Sequence, residues 1–244
     1  MPLRITISKE NYLKAVAEAE SEGETVKAVT LVHWLRVSAP AVTMAIKRLR
    51  RDGLIQVGEE GQIALTAAGR DIANGLLRRH YLIERMLTEI FGLEWYKVHD
   101  EAEQLEHAVS ADFERKLMER LGTGTDCPHG NQVGLDSPDH RRRRGLMPLD
   151  EARPGDRLMV ASVFERDRKL LEYLDGAEIR PGVRVEVSAA DGEIELRTAG
   201  GTVRLGRAAA GKVWVRGDKA RGAGQPRRTP ARTPAWQPER LRYG

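Results

Sequence analysis

The residues with the clearest chemistry lie in the segment KVHDEAEQLEHAVS, residues 97–110. Its two histidines and two of its carboxylates share the i, i+4, i+7, i+8 spacing of one helix face: His99, Glu103, Glu106 and His107. Imidazole and carboxylate donors suit Mn²⁺ or Fe²⁺, and Zn²⁺, Co²⁺ or Ni²⁺ also bind such a set. A charged helix face is more often simply solvated. Taken alone, the segment fits both a metal site and a solvated face.

The preceding segment carries a second histidine–carboxylate pair. TAAGRDIANGLLRRHYLIERMLTEIFG has apolar residues at helical spacing and predicts one long helix from Ala67 to Phe91. His80 and Glu84 are four residues apart on it, so they share a face. Such a pair alone would be an exposed ion pair. A neighbouring helix with four more potential ligands favours a shared metal site.

Length, cysteine content and charge limit the class of protein. The 244 residues suffice for two or three small domains, and the single cysteine, Cys127, excludes an internal disulfide framework. No run of about 18 apolar residues is present, and MPLRITISKEN lacks the apolar region of a signal peptide, so we expect a cytoplasmic protein without a membrane segment. The net charge is +4, but residues 216–244 alone contribute a surplus of six positive charges. Nucleic-acid binding therefore requires a local basic surface.

Such a surface lies in the first third of the chain. Residues 11–19 and 26–34 have helical periodicity, and a third helix follows in RVSAPAVTMAIKRLRRDGLI. There Ser38 can cap the helix, Pro40 lies in its first turn and Gly53 ends it. Two short β-type runs around the turn at 58–61 then predict a hairpin. This order of elements is that of a winged helix-turn-helix, whose third helix enters the major groove of double-stranded DNA.

The third helix supplies the predicted DNA contacts. Its basic residues alone would indicate a solvated face, but the order of elements favours contact with phosphates, which is salt-dependent. Met44 suits apolar contact with thymine methyl groups better than readout of guanine. The predicted set is Ser38, Ala39, Pro40, Thr43, Met44, Lys47, Arg48 and Arg51.

Together these features resemble a known family. In chain order they are SKENYLKAV, SAPAVTMAIKRLRRDGLI, RRHYLIERML, KVHDEAEQLEHAVS and CPHG. Their order and spacing, over residues 5–215, are similar to those of the diphtheria-toxin-repressor and manganese-transport-regulator family of metal-dependent transcriptional regulators. The resemblance implies a homodimer, joined through the long helix and residues 94–121, that binds a palindromic operator when Mn²⁺ or Fe²⁺ is bound. It also implies repression of metal-uptake genes.

The resemblance further implies two metal sites in each subunit. The donors of the first would be Asn11, Glu103, Glu106 and His107. The second uses, in some members, the residues that here are His80, Glu84 and His99. In members with CPHG it uses a C-terminal carboxylate, for which Asp167 in FERDRKLLEYL is the candidate, together with Glu84, Cys127 and His129.

Three residues bear on the choice of metal and on the first-helix end of its site. Asn11 stands where family members usually have Asp or Met, and Lys14 where some have Glu; an amide is a weak ligand and a protonated lysine is none. We therefore expect the first-helix end of that site to be weak or differently occupied. A lone cysteine is usually a small buried hydrophobic residue, but in CPHG the thiol of Cys127 and an imidazole are two residues apart, which favours coordination. Thiolates favour iron, zinc or cobalt over manganese, yet the family includes manganese sensors with this motif.

The last third changes to a strand pattern. DRLMVASVF, VRVEVSA, EIELRT, TVRLG and KVWVR are β-type runs, with one helical piece at DRKLLEYLDG. They predict a small β-barrel resembling the SH3-like, FeoA-type module of longer family members, which is expected to donate a metal ligand. The connector with Arg141–Arg144 predicts a solvated linker or, alternatively, a further contact with DNA. The Gly/Pro/Arg-rich tail from Arg216 predicts disorder.

The predicted fold is therefore mainly α with β. Its regions are a winged helix-turn-helix DNA-binding domain at 1–73, a helical dimerisation and metal-binding domain with linker at 74–145, an SH3-like FeoA-type domain at 146–215 and a basic tail at 216–244.

Two other functions compete with a metal-dependent regulator. EQLEH is similar to the HxxEH pattern of a zinc metallohydrolase, but Glu103 stands where that pattern needs histidine, and the many candidate ligands leave no open position for a substrate. A winged-helix regulator with degenerate or structural metal sites would instead bind its operator equally well with metal and with chelator. We expect no enzyme activity and no small-molecule substrate.

Overall fold

The computed structural model describes residues 5–134 and 136–218. Its α-helices are α1 (Ile7–Ser21), α2 (Ala28–Leu35), α3 (Ala39–Arg51), α4 (Ala67–Arg85), α5 (Val98–Leu105), α6 (Ala111–Leu121), α7 (Pro138–Arg143), α8 (Arg168–Gly176) and α9 (Arg207–Ala210). Its β-strands are β1 (Ile55–Val57), β2 (Ile63–Leu65), β3 (Leu146–Pro148), β4 (Arg157–Val163), β5 (Arg184–Ala189), β6 (Glu193–Thr198), β7 (Gly201–Gly206) and β8 (Val213–Gly217). The predicted disordered tail lies, from residue 219 onward, outside the described residues.

The first domain is a winged helix-turn-helix, as predicted. The Ser38 side chain accepts a hydrogen bond from the Ala41 amide at 3.4 Å, which caps α3, and Gly53 adopts φ +72° where the chain leaves it. Helix α3 packs against α1 and α2 through a buried stripe that includes Val42 and Leu49. Strands β1 and β2 form the antiparallel hairpin. Each element was predictable because its signal is local.

The helical domain is built on α4 and packs α5 and α6 against it. The predicted long helix is α-helical to Arg85 and continues as a π-helical turn, Met86–Ile90. Its small core includes Leu82 and Ala102. Several large apolar side chains stay exposed on this domain in the isolated subunit, which is the surface expected of a subunit interface: Ile90, Phe91, Leu105, Phe113 and Met118.

The third domain is an antiparallel sheet of six strands in the order β3-β8-β4-β5-β6-β7, with α8 packed on it. The five predicted strands are present, and β3 is an additional one. The composition of the tail predicts no strand at Arg216 and Gly217, but both belong to β8, where Arg216 pairs with Leu146 and Gly217 with Leu158. The β-sheet therefore extends two residues into the segment predicted as tail, to Gly217.

The connector before this sheet is only partly the predicted solvated linker: Arg142, Arg143 and Arg144 are exposed, but Arg141 is buried. It forms helix α7, capped by Ser137, and the Arg141 side chain is only 2% exposed. The Arg141 guanidinium lies 5.0 Å from the Trp214 ring centroid, 3.2 Å from Asn131 Oδ1 and 3.4 Å from Glu22 Oε1. A buried arginine stacked on an aromatic ring thus joins the C-terminal sheet to the end of α1.

No single helix of the described residues is long and apolar enough to cross a membrane. One pair of helices, α2 and α3, meets the length and composition requirements together, but the pair is bent by 116°.

Candidate metal centre

Six buried side chains, at most 7% exposed, form a cluster where the helical domain meets the C-terminal sheet. Helices α4 and α5 contribute three of them, the CPHG loop two, and the loop between β4 and α8 one. We call this cluster the buried centre: His80, Glu84, His99, Cys127, His129 and Glu165.

One side of the buried centre has only nitrogen and oxygen donors. His80 Nε2 lies 3.0 Å from His99 Nδ1 and 3.1 Å from Glu84 Oε1, and His99 Nδ1 lies 3.3 Å from the same oxygen. Bonds of roughly 2.0–2.2 Å from one metal ion to each donor are compatible with this triangle. Glu165 Oε1 faces the same side, 3.9 Å from His99 Nδ1.

The other side of the buried centre contains the thiol. Cys127 Sγ lies 3.3 Å from Glu165 Oε2 and 3.9 Å from His129 Nδ1. Glu84 Oε2 lies 3.5 Å from His129 Nδ1. Burial, together with Glu165 and Glu84, raises the pKa of the Cys127 thiol well above its usual value. The thiol is therefore protonated at neutral pH unless a bound cation displaces its proton.

The CPHG loop is held in place by backbone contacts. The amide of Val163 donates to the His129 carbonyl at 2.9 Å, and the Cys127 amide donates to the Asn131 carbonyl at 3.1 Å. Gly130 has φ +85°, and a Cβ at this position would lie 2.1 Å from the Ala161 carbonyl oxygen. Only glycine permits this approach to β4, which brings Cys127 and His129 to the centre.

His80 and His129 each have a hydrogen-bond partner that orients the ring. His80 Nδ1 lies 2.6 Å from Glu106 Oε2, and His129 Nε2 donates to the Trp95 carbonyl at 3.1 Å. In each case the opposite ring nitrogen faces the buried centre. Carboxylate and carbonyl partners of this kind are the usual supports of metal-bound histidines.

The structure brings Glu165, and not the predicted Asp167, to the centre. Asp167 instead caps α8 by accepting from the Leu170 amide at 3.1 Å, and it pairs with Lys212 at 2.7 Å. Glu165 lies just after β4, and its Oε2 accepts from Asn131 Nδ2 at 2.7 Å. The sequence did contain a signal for this choice, because an aspartate directly before a helical run is a typical N-cap.

The four residues that opened the sequence analysis do not form one site. Helix α5 ends at Leu105, so Glu106 and His107 lie in the turn after it. His99 faces the buried centre, whereas His107 faces α1: its Nε2 lies 2.6 Å from Asn11 Oδ1 and its Nδ1 3.0 Å from Glu10 Oε2. Sequence reasoning missed Glu10. We call the cluster around His107 the outer set: Glu10, Asn11, Glu103, Glu106 and His107.

Lys14 lies between the outer set and the buried centre. Its side chain is 4% exposed, and its ammonium is 2.7 Å from Glu106 Oε2 and 3.0 Å from His80 Nδ1. Burial opposes ionisation of Glu106, but His80 and Lys14 outweigh it and bring the pKa of Glu106 to about 2. Burial and Lys14 oppose protonation of His80, yet Glu84 and Glu106 raise its pKa to about 9. A fixed ammonium therefore already neutralises one predicted ligand of the outer set.

The buried centre itself fits a divalent metal ion. Glu84 Oε2 is buried without any hydrogen-bond partner, which is costly unless a cation compensates it. The pKa of Glu84 is well below its usual value because, despite burial, His129 and His80 stabilise its charge. A buried anion, two further acidic donors and three imidazoles are the donors that Fe²⁺, Mn²⁺ or Zn²⁺ binds.

Arg166 links the neighbourhood of the centre to the DNA-binding domain. Its Nη1 donates to Glu18 of α1 at 2.8 Å and to Glu103 of α5 at 3.1 Å. Its Nη2 donates to the carbonyl of Trp34 in α2 at 3.2 Å, and the guanidinium lies 5.1 Å from the Trp34 ring centroid. One side chain of the C-terminal domain thus contacts three helices.

All eight predicted DNA-contacting residues of α3 and its cap are exposed. Val42, Ala45 and Leu49 turn inward instead. Met44 is 54% exposed, and no residue of the described structure covers this face. The outward face of α3 is therefore free to enter a groove.

Comparison with known proteins gives the same architecture. Residues 4–62 match the model of the iron dependent repressor N-terminal DNA binding domain, 66–133 that of the iron dependent repressor metal binding and dimerisation domain, and 147–217 that of the FeoA domain. The diphtheria toxin repressor of Corynebacterium diphtheriae is 35% identical over 211 residues, covering 80% of this chain and 91% of that protein. The iron-dependent repressor IdeR of Mycobacterium tuberculosis is 32% identical over 194 residues, covering 75% and 84%.

Solved structures agree with these matches. A manganese-dependent transcriptional repressor in complex with manganese is 32% identical with a TM-score of 0.74, covering 86% of this chain and 99% of that one. ScaR with bound Zn²⁺ is 27% identical with a TM-score of 0.72 over the same shares. With its winged helix, its dimerisation domain and its FeoA-type sheet, this chain belongs to the diphtheria-toxin-repressor family of metal-dependent, DNA-binding transcriptional regulators.

Proposed function

We propose that the chain is a homodimeric repressor of metal-uptake genes that binds a palindromic operator when Mn²⁺ or Fe²⁺ occupies the buried centre. The ligands would be His80, Glu84, His99, Cys127, His129 and Glu165. A bound divalent ion would supply the positive charge that holds donors of four separate segments together. The outer set would form a weaker second site, because Asn11 offers only an amide oxygen and Lys14 neutralises Glu106.

A single observation carries this proposal: the candidate ligand Glu165 is followed directly by Arg166, whose contacts with α1 and α2 we call the clamp. Glu165 faces the buried centre, and Arg166 holds α1 and α2. Helix α2 leads directly into α3, the DNA-contacting helix. An ion that fixes the loop between β4 and α8 would therefore restrict the position of α3 in each subunit.

Metal binding and operator binding are thermodynamically linked in this proposal. If the arrangement with α1 and α2 clamped is the one that fits the operator, an ion that binds this arrangement more tightly raises DNA affinity. By reciprocity, operator DNA raises the affinity for the ion by the same factor. The gain is limited by the difference in metal affinity between the two arrangements.

The test is operator binding by fluorescence anisotropy, in chelator and with Mn²⁺ or anaerobic Fe²⁺, using DNA from upstream of metal-transport genes. We expect metal to raise the affinity of the wild-type protein and Glu165→Gln to remove most of this gain. Asp167→Asn is the matched control, since asparagine also caps helices and Asp167 does not reach the centre. Loss of the gain in Asp167→Asn but not in Glu165→Gln would contradict the assignment.

A regulator that binds DNA without metal is the second candidate, and Lys14 favours it. The Lys14 ammonium already connects α1 to Glu106 of the dimerisation domain. If that contact alone fixes the DNA-binding domain, operator affinity in chelator and in Mn²⁺ will be equal. The same titration therefore separates the two candidates.

A further inference from the structure

The buried centre contains two donor groups that share two carboxylates. His80 and His99 belong to one group and Cys127 and His129 to the other, and the donor atoms within each group lie within 4.8 Å of one another. The shared members of both groups are Glu84 and Glu165.

Each shared carboxylate directs one oxygen to each group. Glu84 Oε1 lies 3.1 Å from His80 Nε2, whereas Glu84 Oε2 lies 3.5 Å from His129 Nδ1. Glu165 Oε1 lies 3.9 Å from His99 Nδ1, whereas Glu165 Oε2 lies 3.3 Å from Cys127 Sγ. A carboxylate that binds a single ion would have the terminal donors of only one group near its oxygens. Two carboxylates arranged in parallel between two sets of terminal donors are the arrangement of a bridged pair of ions.

The unpartnered oxygen of the centre lies on the thiol side. Glu84 is fully buried, and its Oε2 has no hydrogen-bond partner, although Oε1 has two histidine neighbours. An ion held by the two histidines at Oε1 would leave Oε2 with only the His129 ring nitrogen beside it, at 3.5 Å and without a hydrogen bond. A second ion between Glu84 Oε2, Cys127 and His129 would compensate it.

We propose that the buried centre holds two divalent ions bridged by Glu84 and Glu165, with His80 and His99 as terminal ligands of one ion and Cys127 and His129 as terminal ligands of the other. This inference rests on the proposed metal dependence and adds the number of ions and their bridging. The two positions differ in chemistry, because one has only nitrogen and oxygen donors and the other includes a thiolate. The thiolate position binds softer ions such as Co²⁺ or Zn²⁺ in preference, and the nitrogen and oxygen position is suited to Mn²⁺.

The experiment counts ions and measures the interaction between them. The full-length protein carrying His107→Ala, which weakens the outer set, is loaded with Mn²⁺ and freed of unbound metal by gel filtration. Metal is counted by mass spectrometry, and electron paramagnetic resonance reports whether the Mn²⁺ ions are exchange-coupled. We expect two ions in each subunit and a coupled signal, because carboxylate bridges transmit exchange between neighbouring ions.

Single substitutions then assign the two positions. His80→Gln should leave one uncoupled ion and, after loading with Co²⁺, retain the charge-transfer absorption of a cobalt thiolate. Cys127→Ser should also leave one uncoupled ion but lose that absorption. Since the coupling is measured with all six donors present, the test does not depend on the stability of either variant.

Each other result overturns the inference. One ion in each subunit of the His107→Ala protein would show a mononuclear centre, and two uncoupled ions would show two unbridged sites. If Mn²⁺ still raises operator affinity in either case, only the bridged pair is excluded and the proposed function stands. If no ion binds, both fail.

Discussion

Replacing Lys14 with methionine removes a buried charge from the contact between the first helix and the dimerisation domain. The Lys14 ammonium lies 2.7 Å from Glu106 Oε2 and 3.8 Å from Glu103 Oε1, and its side chain is 4% exposed. Methionine keeps a long, flexible apolar side chain but carries no charge and donates no hydrogen bond. The substitution therefore leaves Glu106 buried with His80 as its main partner.

The size of the effect follows from the contacts that remain. Removing one partner of a buried ion pair typically costs ~3–5 kcal/mol. Glu106 keeps His80 at 2.6 Å, and Glu103 keeps Arg166 at 3.1 Å and is 39% exposed, so part of the negative charge stays compensated. We therefore expect the free energy of unfolding of the metal-free protein to fall by about 3 kcal/mol, the lower end of that range.

Urea denaturation in chelator at neutral pH, followed by circular dichroism, measures this loss. The matched control is Lys116→Met, because the Lys116 ammonium makes an equally short 2.7 Å contact with Glu119 but is 64% exposed. It should change the free energy of unfolding by about 0.5 kcal/mol or less. Mn²⁺ should also stabilise Lys14→Met more than the wild type, since Glu106 is then free to bind it. Equal losses in the two variants would refute the buried ion pair.

Other substitutions and pH test the remaining steps. Arg166→Met should leave the number of bound ions unchanged but reduce the metal-induced gain in operator affinity about tenfold. Titration calorimetry measures the number of ions and anisotropy the operator affinity. An unchanged gain would exclude the clamp. Burial lowers the pKa of His80, but its carboxylate neighbours raise it to about 9 from 6.5, so the ring must lose a proton to bind metal. Mn²⁺ affinity should therefore rise with pH in competition titrations with a chelator, with the contribution of His80 complete only above about pH 9, and a flat profile would contradict this. Arg48→Met should lower the slope of log affinity against log salt by about 0.9 without changing operator preference, provided that Arg48 meets a phosphate. Gly130→Ala should weaken metal binding in the same competition titrations, because its Cβ would lie 2.1 Å from a backbone carbonyl oxygen; wild-type affinity would show that the loop tolerates it.

The parts of the fold that follow from local signals were predictable. Ser38 and Gly53 mark the ends of the recognition helix, and alternating strand residues mark the five long strands. Strand β3 was not predictable, since three residues ending in Pro148 carry no strand signal and depend on pairing with β8. The burial of Arg141 was not predictable either, because it depends on Trp214, which is distant in the sequence.

In the candidate site, too, the features with local sequence signals were predictable and those that depend on the folded chain were not. The motifs around His80 and Cys127 indicated the donor types, and the structure places both residues in the buried centre. The choice between Glu165 and Asp167 depended on where the chain turns into α8, and the capping preference of Asp167 decided it. The spacing of His99 and His107 suggested a common site, but α5 ends between them and directs them to different clusters.

Among the contacts that hold the first helix against the rest of the subunit, those of Lys14 and Arg166 differ in kind. Lys14 supplies a charge that is part of the chain, so its contact with Glu106 exists whatever the metal concentration. Arg166 contacts Glu18 of α1 from the loop that also carries Glu165, so on the proposed function its position depends on whether Glu165 binds an ion. Of these two contacts, only the one made by Arg166 adjoins a proposed metal ligand, and on the proposed function it is the one that responds to metal concentration. With Asn11 offering a neutral donor to the outer set, the metal response of this chain is therefore expected to pass through the C-terminal domain rather than through the first helix.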